Sequence, residues 1–185
     1  MIVLAVTLIG AANISEVNFK DFDYPWDAPR IAVPTAWKWL EGKPKSSIRV
    51  NAGRHDFSAS EPFTDGYLMI RSVTYGDLNG DGQDEAAVDL LCSSGGTANW
   101  HYLYVFTPAN GSPMLLARLQ SGSRAYGGLL KVAIEQKTLV LDFADADRRV
   151  GDCCSEGYIR VRYRWRAGGF VEVDGRTSGV LDLGK

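Results

Sequence analysis

No stretch of this chain is both apolar and long enough to cross a bilayer. Its longest apolar run, Met1–Ala12, is about a dozen residues, short of the roughly 20 a spanning helix requires. Basic residues are not in surplus: 20 Lys and Arg stand against 22 Asp and Glu, a net charge of −2, which excludes a nucleic-acid partner held by general electrostatics. With three cysteines, two histidines and no CxxC or Cys/His spacing, a zinc site has no ligand set. No Gly-x-Ser-x-Gly elbow is present. A helical period is also missing over most of the length. What the chain has instead is 20 glycines punctuating short apolar and alternating runs, in 185 residues that are 45% hydrophobic. That pattern predicts a mainly β, β-rich α+β fold, with strands joined by turns around one sizeable core.

Three segments follow. Residues 1–12 form an apolar N-terminal segment ending in Gly10-Ala11-Ala12, similar to the h-region and small-residue cleavage site of a secretory signal without its positive start. A buried first strand is the alternative. Residues 13–66 are irregular, with the aromatic run Phe19–Trp26 broken by Pro25. A short helix is expected over Pro34–Glu41, with Pro34 in its first turn and Gly42 and Pro44 ending it. One or two strands are expected near Ile48–Asn51 and Phe57. Residues 67–185 form an antiparallel β domain. Its strands are expected at 67–75, 85–92, 100–107, 113–120, 128–134, 138–143, 157–166 and 170–174. Asn110-Gly111 is the preferred pair for a tight hairpin, and short connections at 135–137 and 167–169 make further antiparallel neighbours. The result is a meander, curled into a barrel or folded into a sandwich; length and the absence of repeats exclude a propeller.

The most pointed motif lies between the first two of these strands. Asp77, Asn79 and Asp81 place oxygen side chains at alternate positions, Gly82 turns the chain, and Gln83 and Glu85 follow. Alternate oxygens converge when the backbone coils round a hard cation. An EF-hand would need Glu at the twelfth position, which is Val88, and helical flanks, whereas the flanks here read as strands. The loop resembles the FG-GAP/VCBS type, Asp-x-Asn-x-Asp-Gly-x-x-Asp, with Glu85 at the last acidic place. From Ser72 on, the chain is similar to secreted bacterial proteins that carry one such loop. The resemblance implies Ca2+ held by Asp77, Asn79, Asp81, the Gln83 carbonyl and Glu85, and no activity; a metal-free Asx-rich turn is the alternative.

Antiparallel order puts loops 93–99, 121–127 and 144–156 at the end opposite this motif. They are long, rich in Gly and Ser, and carry Arg124, Arg148 and Arg149, whose planar forks suit carboxylate or phosphate. Asp145, Asp147, Asp152 and Glu156 in the same loop could equally neutralise them. Cys92 ends its strand at that edge, so a bridge to Cys153 or Cys154 is expected, with a vicinal Cys153–Cys154 bond as the alternative. Strand 157–166 alternates apolar and basic residues; a three-residue turn at 167–169 would set Arg164 opposite Glu172 and Arg162 opposite Asp174. His55 reads as a surface residue. His101 shares a face with Leu103 and Val105 and reads as a buried, hydrogen-bonded residue rather than a catalyst. The combined expectation is a secreted or periplasmic, calcium-stabilised binding module for a glycan, an anionic ligand or an extracellular protein. Rival expectations are an inhibitor of an extracellular or periplasmic hydrolase, and a small hydrolase using His101.

Overall fold

The computed structural model describes residues 13–27, 37–42, 44–61, 63, 65–96 and 98–182. Two antiparallel sheets stack face to face. The larger has the order β2-β8-β7-β6-β5-β4, built from β2 (Lys38–Leu40), β4 (Arg54–Asp56), β5 (Tyr67–Gly76), β6 (Glu85–Ser93), β7 (Asn99–Ala109) and β8 (Ser112–Ser123). The smaller has the order β14-β13-β10-β9, from β9 (Leu129–Glu135), β10 (Thr138–Ala144), β13 (Gly157–Arg166) and β14 (Gly169–Val180). Each of the eight strands expected beyond residue 66 is present. The meander is interrupted once, between β8 and β9, where the chain leaves one sheet for the other. The sheets approach where β5 lies beside β9 but do not join there, so the architecture is a sandwich and not a closed barrel.

A third layer covers the far face of the larger sheet. It consists of one-turn 3-10 helices at Ile14–Glu16 and Phe19–Asp21 and a ribbon of β1 (Phe22–Trp26) paired with β3 (Ser46–Val50). Pro25 lies inside β1 rather than ending it, which a two-stranded ribbon tolerates. The central strands are therefore buried on both sides, and alternate residues serve different cores. Ala86, Val88, Leu90 and Cys92 with Trp100, Tyr102, Tyr104 and Phe106 pack against Ile14, Phe19, Tyr24, Trp26, Ile48 and Val50. Ala87, Leu103, Val105 and Leu119 pack against Leu139, Leu141, Phe143, Val161 and Tyr163 of the smaller sheet. This explains why β6 and β7 read as near-continuous apolar runs, as strands buried on both faces do.

The expected helix over 34–41 is not what forms in its described part. Residues 34–36 lie outside the described residues, and Lys38–Leu40 is a strand on the edge of β8. The physical reason is in the side chains: Trp37 and Trp39, two apart, project to one side and cover the smaller sheet, Trp37 stacking on Phe143 and Trp39 on Phe170. The signal-like segment 1–12 also lies outside the described residues. No helix among those described is long and apolar enough to cross a membrane.

The turn joining β13 to β14 holds two residues, Ala167 and Gly168, both at positive φ. That is one residue shorter than expected, and it moves every cross-strand partner. Arg164 pairs with Val171 and Arg162 with Val173, while Glu172 faces Tyr163. The arginines find partners on the other neighbour instead. Arg160 makes a two-pronged bond to Asp142 of β10 at 2.7 and 2.8 Å, and Arg164 Nε donates to Thr138 Oγ1. Glu172 pairs with Arg176 along its own strand.

Candidate functional site

The chain presents two polar regions at opposite ends of the sandwich. At one end, Asp77–Asp84 joins β5 to β6, and Leu78 anchors it by entering the inter-sheet core. The loop is a succession of Asx-type turns. Asp77 accepts from the backbone N–H groups of Gly80 and Gly82, Asn79 Oδ1 from Asp81, and Asp81 Oδ1 from Gln83. Gly80 and Gly82 take positive φ. Lys137, in the β9–β10 turn at the same end, sits 3.2 Å from Asp77. Burial pushes the Asp77 carboxyl up, but its backbone donors and Lys137 outweigh this and hold it below the usual value.

Glu85 differs from the other acids in being wholly buried. Its Oε2 accepts from the Leu78 and Asn79 N–H groups at 2.7 and 3.0 Å, and its Oε1 from Asn79 Nδ2 and Thr107 Oγ1 at 2.9 and 2.8 Å. Four donors fill the four lone-pair positions of a carboxylate. Burial raises its carboxyl above the usual value, against the pull of those donors. As the side chains stand, no three His, Cys, Asp or Glu residues among those described converge as a metal-holding group. The Asn79 amide explains this arrangement. It lies between Asp81 Oδ2 and Glu85 Oε1 and donates to both. The loop thus supplies its own hydrogen-bond donors where its carboxylates face one another. The donor set itself, three carboxylates with an amide and a carbonyl, is the all-oxygen type that suits calcium.

At the other end the three long loops meet. The Asn99 N–H donates to Ser123 Oγ, joining 93–99 to 121–127. With its amide oriented to satisfy its neighbours, Asn99 Oδ1 accepts from both Nε and Nη2 of Arg124 at 3.1 Å, and Nδ2 donates to Ser93 Oγ and the Ala98 carbonyl. Tyr126 connects the second loop to the third. Its hydroxyl donates to Asp152, which raises the phenol above its ordinary value, and the Arg149 guanidinium lies 4.6 Å over its ring. Arg148 is more constrained, since its stem packs over Gly157 and its Nε lies 3.7 Å from Asp145. With Arg149, Val150, Glu156 and Val180 it lines an open recess. Among the described residues, neither Arg124 nor Arg149 forms an ion pair. Two of the loop's four acids are engaged elsewhere: Asp145 caps the turn Ala146–Arg148 and lies beside Arg148, and Asp152 takes Tyr126, while Glu156 shares the recess with Arg149.

The cysteines are arranged differently from the expected bridge. Cys153 and Cys154 pair with each other in the hairpin of β11 (Arg149–Val150) and β12 (Cys154–Ser155), and Cys92 is free and buried. Cys92 does reach the expected edge. Its position in β6, however, turns its side chain into the core beneath the N-terminal layer, on the side of the sheet away from residues 144–156. Burial pushes its thiol up to about 12.

His101 is buried, as expected, and its partners come from neighbouring strands. Nδ1 lies 2.9 Å from Asp89 Oδ1, and Nε2 lies 3.4 Å from Arg71 Nη1, which also donates to the Leu129 carbonyl. This network spans β5, β6 and β7 and fastens them to the start of β9. No motif marks Asp89 or Arg71; the one signal is the lone charged Asp89 within the apolar run of β6, and Arg71, exposed at the β5 bulge, has none. His55 is half-buried, between the Arg49 carbonyl and Glu61. Comparison of the chain with protein-family models, curated proteins and solved structures gives no match to any of them.

Proposed function

We propose that this protein is an exported binding module whose ligand surface is the loop end formed by residues 93–99, 121–127 and 144–156, and whose opposite end is stabilised by calcium. The observation that carries the reading is the joining of these three loops through Asn99, Ser123, Tyr126 and Asp152, with Arg124 and Arg149 left outside ion pairs among the described residues. Each guanidinium is held in place by a neutral partner, the Asn99 amide for Arg124 and the Tyr126 ring for Arg149. A positioned, unneutralised arginine binds carboxylate, sulfate or phosphate through parallel hydrogen bonds. The recess beside Arg149 has exposed Val150 and Val180 on its walls together with Glu156, which favours an anionic group held at the arginine, away from Glu156, and carried on a partly apolar body. Such ligands include acidic glycans and the surface of an extracellular protein.

The test is an array of carboxylated, sulfated and neutral glycans, probed with wild type and Arg124→Ala/Arg149→Ala. Capture of acidic glycans that disappears in the variant supports the reading. Equal capture by both proteins, or none by either alongside none of a protein partner in pull-down, overturns it.

For calcium, Asp77, Asn79, Asp81, the Gln83 carbonyl and Glu85 would hold the ion, Glu85 after the Asn79 amide gives up its place between Glu85 and Asp81, and the ion would supply structural cross-linking of the β5–β6 loop. Support comes from the coiled loop and its all-oxygen donors. Binding at one hundred times Kd would add about 2.7 kcal/mol to stability. Titration calorimetry with millimolar Ca2+ should show binding that Asp81→Ala removes, together with the calcium-dependent rise in Tm. No heat and no rise in the wild type would end this part of the proposal.

A further inference from the structure

We propose that the Cys153–Cys154 disulfide is a thiol–disulfide exchange site for an external dithiol, and that opening it frees Tyr126 and loosens the tip of the 149–155 hairpin. Three observations carry this. Both cysteines are exposed, at the tip of a hairpin whose two strands are two residues each. The third sulfur cannot exchange with them, because Cys92 is fully buried on the far side of the central sheet. Finally, the disulfide occupies the same short turn that holds the neighbouring loop: Val150 pairs with Cys154, leaving Gly151, Asp152 and Cys153 as the turn, and Asp152 accepts the Tyr126 hydroxyl. Arg149, at the hairpin's base, covers the other side of that contact by lying over the Tyr126 ring.

Below the tip the hairpin is fastened independently. Ser155 Oγ, buried, lies 2.7 Å from the Asp145 carbonyl, to which its one proton points, and 2.9 Å from the Gly157 carbonyl, and it accepts the Gly157 N–H. Change on reduction is therefore confined to 149–154 and to Tyr126, with Arg148 held below it by Ser155 and Glu156. A reagent thiolate attacks one sulfur, the Cys153–Cys154 bond breaks, and the other sulfur leaves as a thiolate that takes a proton. The reagent's second thiol resolves the mixed disulfide. The protein gains two electrons and two protons, and the dithiol becomes a cyclic disulfide.

The test needs no ligand and so stands apart from the proposed function. Wild type is treated with increasing dithiothreitol, its thiols are alkylated and mapped, and limited trypsin cleavage after Arg148 and Arg149 is followed by mass spectrometry. Two thiols should appear in the native protein, at Cys153 and Cys154, with Cys92 reacting only after denaturation. Cleavage after Arg149 should become several-fold faster on reduction, while other sites, Arg148 included, keep their rates. Cys153→Ser/Cys154→Ser should be cleaved at the fast rate with or without reductant. A mapped bridge involving Cys92, a third native thiol, or equal cleavage of oxidised and reduced protein would overturn the proposal.

Discussion

At Gly122 an added methyl group would overlap the Tyr126 carbonyl, and at Gly128 it would press on the Arg124 backbone. These two glycines let the chain turn from β8 into β9 with almost no space, and so bring the 121–127 loop onto its neighbours. Gly122→Ala should cost about 3 kcal/mol in urea unfolding, as overpacking of backbone against backbone does. Gly111, in the β7–β8 turn, has open space around it and only a positive φ to satisfy, so Gly111→Ala should cost about 1 kcal/mol. Glu85 poses a complementary test. Glu85→Gln keeps the shape but turns an amide NH2 toward two of four converging donors, and should lose about 2 kcal/mol in the same experiment. The oxygen spacing of 77–85 was legible because it is local in sequence. The face of the sheet to which Cys92 belongs was not, because strand parity matters only once a third layer covers the second face. The near-continuous apolar run of β6 signals burial on both faces but not which face takes Cys92.

Among the elements, the β13–β14 hairpin separates two kinds of charge pair that look alike in sequence. Arg160 and Asp142 are largely shielded and joined by two short bonds, and Asp142 holds the guanidinium above its ordinary value. Asp142→Asn should therefore cost about 2 kcal/mol, the range for a bond to a charged group. Glu172 and Arg176 are more open to solvent, and Glu172→Ala should change stability by less than about 0.5 kcal/mol. Equal losses would mean that the two pairs are equally shielded and would contradict their burial. The strands themselves were legible from alternation and turn residues. The register of this hairpin was not: Ala167-Gly168-Gly169 permits either a two- or a three-residue turn. The choice is made by packing Tyr163 and Phe170 around Trp39, residues more than a hundred positions away.

For the whole molecule, the decisive feature is that the described residues between 13 and 66 are not an appendage to a β domain beginning at residue 67. They form one wall of its core. Trp100, Tyr102, Tyr104 and Phe106 of β7 project from the larger sheet toward them and are at most 5% exposed. Tyr104 donates to the Pro25 carbonyl, and Trp26 and Phe22 pack on Tyr102 and Phe106. On the opposite side, β2 completes the larger sheet and places Trp37 and Trp39 over the smaller one. Removing residues 13–66 would bare four aromatic side chains, roughly 600–1,000 Å2. At about 25 cal/mol per Å2 that loss equals or exceeds the whole net stability of an ordinary domain, about 5–15 kcal/mol. A chain starting at Tyr67 should therefore lack a cooperative unfolding transition, bind a hydrophobic dye, and aggregate. Addition of a separate 13–66 polypeptide should restore a transition if the layer docks as one piece. A truncated chain that unfolds cooperatively, with little loss of Tm, would show that the smaller sheet alone supports the larger one and that the N-terminal layer is dispensable.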